Sequence, residues 1–515
     1  MKHGFRQSMA GVHTWSGLLM GWLLFVMFAC GTCAYFQLEI TRWMQPEVKR
    51  TGTQESAAEG AAAYLATVAA GSAQWYIDLP GRRGATTALY WSPPEGAAPD
   101  APTQATVDDR GQPVTARETA GGFFLYRFHF DLHYMPVIWA RYIVGAAAMF
   151  MLVAILSGIV THKKIFTDFF LLRFGKGQRS WLDAHNVTAV LALPFHLMIT
   201  YTGLVTLDSQ LAPAPVAALY KDTAAWYADA FPQRDVVKTG RAVPLAPLGP
   251  MIGEARKRWD GAEVGPIVIA NPGDASSTVT ISSSPGTSMN ARGDTLQFSG
   301  STGRLLSADR ASGPARQTQD VMIGIHAGRY ADIALRWLYF LSGVGGTVMV
   351  GTGLVLWTVK RRAKLPDPAR PHVGFRIVER LNIAVVAGFP IGLACYFLAN
   401  RLLPLRMDGR PEWEIHCLFI AWGVAATIAL LRPARRAWIE LTGLSAVAFA
   451  AVPVVSALTT GRGLPHSLLA GDWLFIGFDL TCLATAAAFG LTAWTLARRA
   501  SRPAATPRRR REAHA

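Results

Sequence analysis

The sequence has few charged residues, and it lacks the motifs of a nucleotide cofactor. Charged residues make up 16% of the 515 residues, against 51% that are hydrophobic. This balance excludes an ordinary soluble enzyme and a disordered chain. No G-x-G-x-x-G motif follows a predicted strand and opens a helix, and no inner segment is large enough for a nicotinamide or flavin fold. Any electrons that the chain uses would come from another molecule.

Cysteine is also scarce, and its placement excludes a disulfide-stabilised module. All the cysteines fall within predicted membrane helices, at Cys30, Cys33, Cys395, Cys417 and Cys482. The segments outside the membrane therefore have no disulfide framework. Cys30 and Cys33 form a C-x-x-C pair, but small packing residues in an apolar helix explain this pair better than redox chemistry does.

Long apolar runs are abundant. A bilayer core of about 30 Å needs about 20 residues of helix, and eight runs approach this length, near residues 15–38, 136–161, 186–207, 335–358, 377–399, 413–431, 438–458 and 473–497. We therefore expect an α-helical polytopic membrane protein with about eight transmembrane helices. The chain is predicted to divide into a first membrane helix (1–38), a first outer module (39–135), and two membrane helices with a short inner loop (136–207). A second outer module (208–334), a fourth membrane helix (335–362), a four-helix membrane region (363–497) and a basic tail (498–515) follow.

Basic residues explain the orientation and the net charge of +16. They cluster beside the apolar runs, in "HKK", "KRRAK", "RPARR" and the terminal "RRRR". This pattern is typical of loops on the inner face and places the N-terminus inside. It also explains the basic balance without nucleic acid as a partner. The first apolar run is too long for a signal peptide and predicts an uncleaved anchor.

The two outer segments are predicted to be small α+β modules. In the first, residues 53–72 favour a helix, and "WYIDLP", "TALYWSP", "ATVDDRGQPVTAR" and "FFLYRF" alternate as strands do. In the second, "LGPMIGEARKRW" favours a helix, "VGPIVIANPG" and "STVTISSS" favour strands, and "TLQFSGSTGRLLSADR" a hairpin. Each module ends in a histidine element that leads into a membrane helix. The sequence thus predicts a duplicated N-terminal half.

The duplication relates the histidines in pairs. His13 and His185 open equivalent helices at the inner surface, and His133 and His326 precede equivalent helices at the outer surface. In a parallel repeat, equivalent residues face each other across an axis along the membrane normal. This geometry suits two axial ligands of one haem iron at each surface, although a single interfacial histidine is often no more than a helix-end residue.

Three further histidines are secondary candidates. His196 follows His185 by three turns on nearly the same helical face, about 16 Å deeper, and is a further ligand or a relay group. His162 is a rival for the inner site, and His129 shares a predicted helical face with His133. Haem is favoured over zinc because the acidic or cysteine ligands of a zinc site are absent.

Four stretches also carry a family resemblance: "HTWSGLLMGWLLF", "RFHFDLH" with "ILSGIVTHKKIFTDFF", "LDAHNVTAVLALPFHLMITYTGL", and "IHAGRYADIALRWLYFLSGVGGTVMVGTGLVLW". Over residues 1–362 the chain resembles the PepSY-associated transmembrane family, iron-regulated membrane proteins that include ferric siderophore reductases such as the ferrioxamine reductase. The four C-terminal helices carry no such motif.

This resemblance implies an oxidoreductase of the bacterial inner membrane, with the N-terminus in the cytoplasm and two PepSY-like modules in the periplasm. About two haem b groups would carry electrons to an Fe(III)-siderophore, which then releases Fe(II). The electron donor would be a quinol or a cytoplasmic reductase, and lipid surrounds the helices. The implied ligands, in order of preference, are His13, His133, His185 and His326, then His162 and His196, and last His129.

Two other classes of protein remain open. In one, the chain is a membrane-anchored periplasmic binding or regulatory protein without redox activity, and it binds no haem. In the other, it is an iron or siderophore permease, which would need discontinuous helices or a polar midplane.

Overall fold

The apolar runs fold as helices, and the polar segments between them contribute strands. The computed structural model describes residues 4–48, 52–94, 96–98, 100–162, 172–230, 236–309 and 313–501. The chain divides into two units, Met1–Arg361 and Arg362–Ala515. The predicted inner loop lies partly, and the predicted basic tail mostly, outside the described residues.

The first half of the first unit begins and ends with a membrane-length helix. Between these two helices lie shorter helices and three strands. In chain order the elements are α1 (Phe5–Ala34), α2 (Gln37–Met44), α3 (Gln54–Val68), β1 (Gln74–Asp78), β2 (Thr87–Trp91), β3 (Gln104–Val107), α4 (Gly121–Asp131) and α5 (Val137–Thr161).

The second half repeats this order with more short helices and a fourth strand. Its elements are α6 (Gln178–Leu191), α7 (Leu193–Thr206), α8 (Asp208–Leu211), α9 (Ala214–Leu219), α10 (Thr223–Ala230), α11 (Leu248–Arg258), β4 (Val264–Ala270), β5 (Thr278–Ser283), β6 (Thr295–Ser299), β7 (Leu305–Asp309), α12 (Pro314–Ala327) and α13 (Ile333–Arg362). The predicted helix over "LGPMIGEARKRW" and the predicted hairpin over "TLQFSGSTGRLLSADR" are confirmed.

The second unit is helical throughout its described residues. It contains α14 (Val373–Val386), α15 (Phe389–Leu402), α16 (Arg410–Leu431), α17 (Ala434–Thr460), α18 (Leu464–Ala470) and α19 (Trp473–Ser501). Small and branched apolar residues of α14 to α17 form a core, in which Ile383, Ala387 and Leu441 are fully buried.

Membrane-length helices occur where the sequence predicts them. With α14 and α15 counted together as one span, Val373–Leu402, seven are long and apolar enough to cross a bilayer within the described residues, and α6 with α7 makes an eighth if that pair is taken as one. The chain is therefore a polytopic helical membrane protein.

The third predicted span is not a straight helix. The chain bends by 67° between α6 and α7, at Ala192. Pro194 stands at the start of α7; proline has no amide hydrogen to donate and crowds the preceding turn, so a break falls just before it. The prediction that His185 and His196 share one face of one helix is therefore wrong.

The strands of both predicted modules belong to a single antiparallel sheet. Its order is β3-β2-β1-β4-β5-β6-β7, and the modules join where β1 pairs with β4, with Trp75 opposite Ile269. Apolar residues on one face of the sheet pack with α3 and α11 in one core, which includes the fully buried Ile77, Leu89 and Ile267. Each module is α+β as predicted, but they fold as one body.

The stretch "FFLYRF" is a helix, and its prediction as a strand is wrong. The buried residues of α4 include Gly121, Phe124, Leu125, Phe128 and Asp131. This spacing is that of one helical face. A side chain at Gly122 would collide with the backbone of α2, so the glycine permits the close packing of the two helices.

Candidate functional site: two histidine pairs

The structure brings His13 of α1 and His185 of α6 together, as predicted, and we call them the first pair. Their ring centroids are 6.1 Å apart and their planes differ by 65°. His13 Nδ1 lies 2.8 Å from the carbonyl oxygen of Ala154 in α5, and His185 Nδ1 lies 2.8 Å from that of Met349 in α13. The two halves of the unit thus hold the first pair by the same contact.

The second pair consists of His129 of α4 and His326 of α12. Their ring centroids are 6.4 Å apart, with 23° between the planes. His129 Nδ1 contacts the carbonyl oxygen of Tyr126. His326 Nδ1 lies 3.1 Å from the carbonyl oxygen of Ile199 and 3.1 Å from the hydroxyl of Thr202. All four rings therefore use Nδ1 for a backbone carbonyl.

The sequence predicted that His133 faces His326, whereas the structure brings the ring of His129 to His326. Helix α4 ends at Asp131, and Leu132 has a φ of 53°, so the chain leaves the helix before His133. His133 therefore does not share a helical face with His129. Its ring contacts Phe124 and Tyr134, whereas the ring of His129 lies nearly parallel to that of His326.

A glycine faces each of the four paired histidines. A Cβ atom at Gly158 would lie 3.2 Å from the His13 ring, and one at Gly353 would lie 3.1 Å from His185. Likewise, a Cβ atom at Gly203 would lie 3.0 Å from His326, and one at Gly31 would lie 3.6 Å from His129. Side chains at these positions would press on the rings, so glycine keeps the space around each ring open.

The glycines and histidines repeat with the same spacing in both halves. Gly31 follows His13, and Gly203 follows His185, by eighteen residues. Eighteen residues are five helical turns, so His13 and Gly31 lie on one face of α1, about 27 Å apart along the axis. Because His129 packs on Gly31, the two pairs lie near opposite ends of a bilayer-length helix.

The distance within each pair fits two ligands of one metal ion. Imidazole rings that bind a metal from opposite sides have centroids roughly 6 Å apart, because each metal–nitrogen bond is about 2 Å long and each centroid lies about 1 Å behind its nitrogen. Among the described residues, no three His, Cys, Asp or Glu side chains are grouped to hold an ion. Two histidines suffice only where a macrocycle supplies the other ligands, as in haem.

The protonation state of the second pair also suits metal binding. Burial away from water lowers the pKa of both His129 and His326 to about 4, so both are neutral near pH 7. A carbonyl oxygen can only accept, so Nδ1 carries the proton of the neutral ring. The lone pair is then at Nε2, the atom that binds a metal.

His196 and His162 lie outside both pairs. His196 is 1% exposed, and neither of its ring nitrogens has a hydrogen-bond partner among the described residues. Its ring lies between Phe28 and Phe195, at centroid distances of 5.8 Å and 5.9 Å. His162 Nε2 lies 2.9 Å from the amide nitrogen of Asn186, next to His185.

Two arginines link the halves at the level of the second pair. Arg141 contacts Asp131 at 2.7 Å and Gln210 at 3.4 Å, and Arg336 contacts Glu39 at 3.2 Å. Each arginine of one half thus reaches a polar residue near the end of the first membrane span of the other half. Both guanidinium groups have a carboxylate partner within the protein.

Sequence reasoning ranked His129 last among the candidate ligands and did not identify the four glycines. The signal for His129 was present: "FHF" and "IHA" both end helices that follow strands and precede a membrane helix. The four glycines gave a weaker signal, the repeated spacing, which becomes meaningful once the histidine partners are known.

Both histidine pairs lie within the part of the chain that matches a known protein family. A family model described as the PepSY-associated TM region matches residues 10–360. An uncharacterised protein of Pseudomonas aeruginosa is 25% identical over 382 residues, which cover 71% of this chain and 92% of that protein.

Proposed function

The chain belongs to the family defined by the PepSY-associated transmembrane region, and from this premise we propose that it is a dihaem b-type electron-transfer protein that reduces Fe(III)-siderophores. One observation supports the proposal most strongly. Two histidine pairs have ring centroids 6.1 Å and 6.4 Å apart, and Nδ1 of each of the four rings contacts a backbone carbonyl oxygen. The ligands would be His13 with His185 and His129 with His326.

The protein residues orient the ligands. The carbonyl oxygens of Ala154, Met349, Tyr126 and Ile199 fix the tautomer and the angle of each ring. Glycines keep large side chains away from the rings. Haem, when bound, supplies a carrier that accepts and donates one electron at each position.

The substrate chemistry needs one electron and no broken covalent bond in the chelator. Siderophore oxygens are hard ligands that suit Fe(III), and one added electron gives Fe(II), which they hold less strongly. A quinol would supply two electrons, release two protons and leave as the quinone, so one quinol would serve two ferric complexes. A cytoplasmic reductase is the other proposed donor.

The position of the pairs is consistent with transfer across a membrane. They lie near opposite ends of α1, and basic residues beside the helices favour an orientation with the N-terminus in the cytoplasm. In the bacterial inner membrane, the sheet and the second pair would then lie on the periplasmic side, where the ferric complex arrives.

The first test is the visible spectrum of the purified protein, oxidised and reduced, with a pyridine haemochrome count. We expect b-type bands with about two haems per chain, and reoxidation of the reduced protein by a ferric siderophore. The His13→Ala variant should lose about half of the haem, whereas His466→Ala, at an exposed position outside both pairs, should lose none. A colourless protein from cells supplied with haem would favour the anchored binding protein instead.

One observation favours a second candidate, a permease. The bend of 67° between α6 and α7 is a discontinuous span, and the buried His196 lies four residues after it. Permease sites are often built at such breaks. Proteoliposomes would distinguish the two: a permease takes up a gallium(III)-siderophore, which cannot be reduced, and the proposed reductase does not.

A further inference from the structure

A cavity of about 450 Å³ opens between α5 and the short helices α8 to α10. Its walls combine aromatic side chains, Tyr142, Tyr220, Trp226 and Tyr227, with the polar Ser209, Gln210 and Thr223. Ligand sites commonly have this size and this mixture of aromatic surface with a few hydrogen-bonding groups. Neither histidine pair contributes a lining residue.

Hydrogen bonds connect the cavity to the helices of the second pair. The lining residue Gln210 accepts from Arg141, which also contacts Asp131 of α4, two residues after His129. On the other side, Asp208 of α8 accepts from Gln319 of α12 at 2.9 Å. Gln319 precedes His326 by seven residues, or two turns. Hydrogen bonds therefore link α8, which forms part of the cavity wall, to both helices that carry the second pair.

The charge of the lining limits the ligand. Lys221 and Asp222 are the charged lining residues, and their charges cancel. Arg141, which lies next to the lining, pairs with Asp131 at 2.7 Å, and Arg127 contacts the same carboxylate, so this group adds no more than one net positive charge. A ligand with several negative charges would lose its hydration without gaining a matching set of cations. The hydroxyl and amide groups instead suit a ligand whose surface presents carbonyl oxygens.

We propose that this cavity binds the iron complex and that it selects complexes of low net charge, such as trihydroxamates, over polyanionic tris-catecholates. The inference rests on the proposed function, since it identifies the site at which the ferric complex would meet the second pair. Aromatic faces would cover the apolar arms of the chelator, and Tyr, Ser, Thr and Gln side chains would donate to its oxygens.

The test uses gallium(III) complexes and the full-length protein. Gallium(III) has the charge of Fe(III) but is not reduced, so binding is measured independently of electron transfer. Isothermal titration should show that the gallium complex of desferrioxamine B binds, and that Trp226→Ala weakens this binding roughly tenfold, as loss of a central aromatic contact does. Leu219→Ala is the matched control, because Leu219 is 79% exposed in the neighbouring α9 and does not line the cavity.

A second variant tests whether weaker binding in Trp226→Ala is caused by misfolding. Tyr227 is half-exposed, so Tyr227→Ala should leave the fold intact and still weaken binding. Unchanged affinity in both Trp226→Ala and Tyr227→Ala would overturn the site.

Charge selection is tested with Asp222→Asn. Asp222 accepts from Ala225 N at 2.7 Å at the start of α10, a contact that asparagine also makes. This variant should bind the gallium complex of a tris-catecholate several-fold more tightly than the wild type does, while its affinity for the desferrioxamine complex stays the same or falls. Equal wild-type affinity for both complexes would overturn the proposed selectivity.

The outcomes separate this inference from the proposed function. A protein that binds the gallium complex in the cavity but never reduces the ferric complex would contradict the reductase and leave the site standing. A protein that reduces the ferric complex equally well with and without Trp226 would support the reductase and place its substrate elsewhere.

Discussion

At the scale of single residues, the contact at Nδ1 determines what each paired histidine can do. A neutral ring that donates from Nδ1 to a carbonyl oxygen keeps its lone pair at Nε2. His13 and His185 make this contact at 2.8 Å each, with carbonyls of α5 and α13. The backbone of one helix thus orients a histidine ring on another.

The second pair yields a prediction that distinguishes two histidines four residues apart. His129→Ala should remove about half of the haem, because the centroid of its ring lies 6.4 Å from that of His326. His133→Ala should keep about two haems per chain, because His133 follows the end of α4. The pyridine haemochrome count of each variant checks this, and the reverse pattern would restore the pairing predicted from sequence.

The glycines yield a second prediction at this scale. Gly158→Leu should prevent haem from binding at the first pair, because even a Cβ atom at this position lies 3.2 Å from the His13 ring. Gly423→Leu is the matched control, because Gly423 lies in the membrane helix α16, away from both pairs in the chain, and no atom lies within 4 Å of a Cβ atom there. Reduced spectra of the two variants are compared at equal protein concentration. Full haem content in Gly158→Leu would show that the space around His13 is not needed.

At the scale of elements, the second unit has a buried charge network where helix ends meet. Arg410 and Glu414 of α16 are fully buried and pair at 2.5 Å. Asn400 of α15 donates to Glu414 at 2.7 Å, and Arg401 lies 3.2 Å from Ser456 of α17. These contacts join three helices, and charges inside a membrane protein persist only with such partners.

Removing one charge from this network should destabilise the protein strongly. Glu414→Gln leaves Arg410 buried without its carboxylate, which costs about 3–5 kcal/mol. Glu440→Gln, which removes the partner of Arg432 at a site 39% exposed, should cost much less, because water screens an exposed ion pair. Unfolding in detergent, followed by circular dichroism, measures both. Equal losses would show that the Arg410–Glu414 pair does not stabilise the unit.

The same scale shows what sequence patterns could and could not predict. Long apolar runs located the membrane helices, and β-branched alternation located strands such as β4 and β5. "FFLYRF" was mistaken for a strand because its aromatic residues favour strands, although its buried positions follow a helical period. The bend before Pro194 and the end of α4 at Leu132 depend on single residues that a periodic pattern averages out.

At the scale of the whole chain, duplication explains the site. Each half supplies one histidine to each pair, so neither half forms a pair alone. The sequence predicted His13 and His185 because both precede long apolar runs. It could not predict the contacts of Gly158 or Gly353, because the ring and the glycine are far apart in the chain.

The two halves fold together because one sheet contains strands from both of them. Gln54 of α3, which is 2% exposed, donates to the carbonyl oxygen of Val264 in β4 and accepts from its amide, both across the halves. The pairing of β1 with β4 continues this contact. The histidine pairs therefore form only when residues more than a hundred positions apart have come together.

A shortened chain tests whether the first unit is sufficient for the site. All four paired histidines, their carbonyl partners and their glycines lie within Met1–Arg361, and the family model ends at residue 360. We expect residues 1–366, purified in parallel with the full chain, to carry about two haems per chain with unchanged band positions. Haem should also persist in the full-length Glu414→Gln variant wherever that variant remains in solution. Loss of one haem from the shortened chain would mean that the second unit supports a pair, and the four C-terminal helices would then have a role in the site.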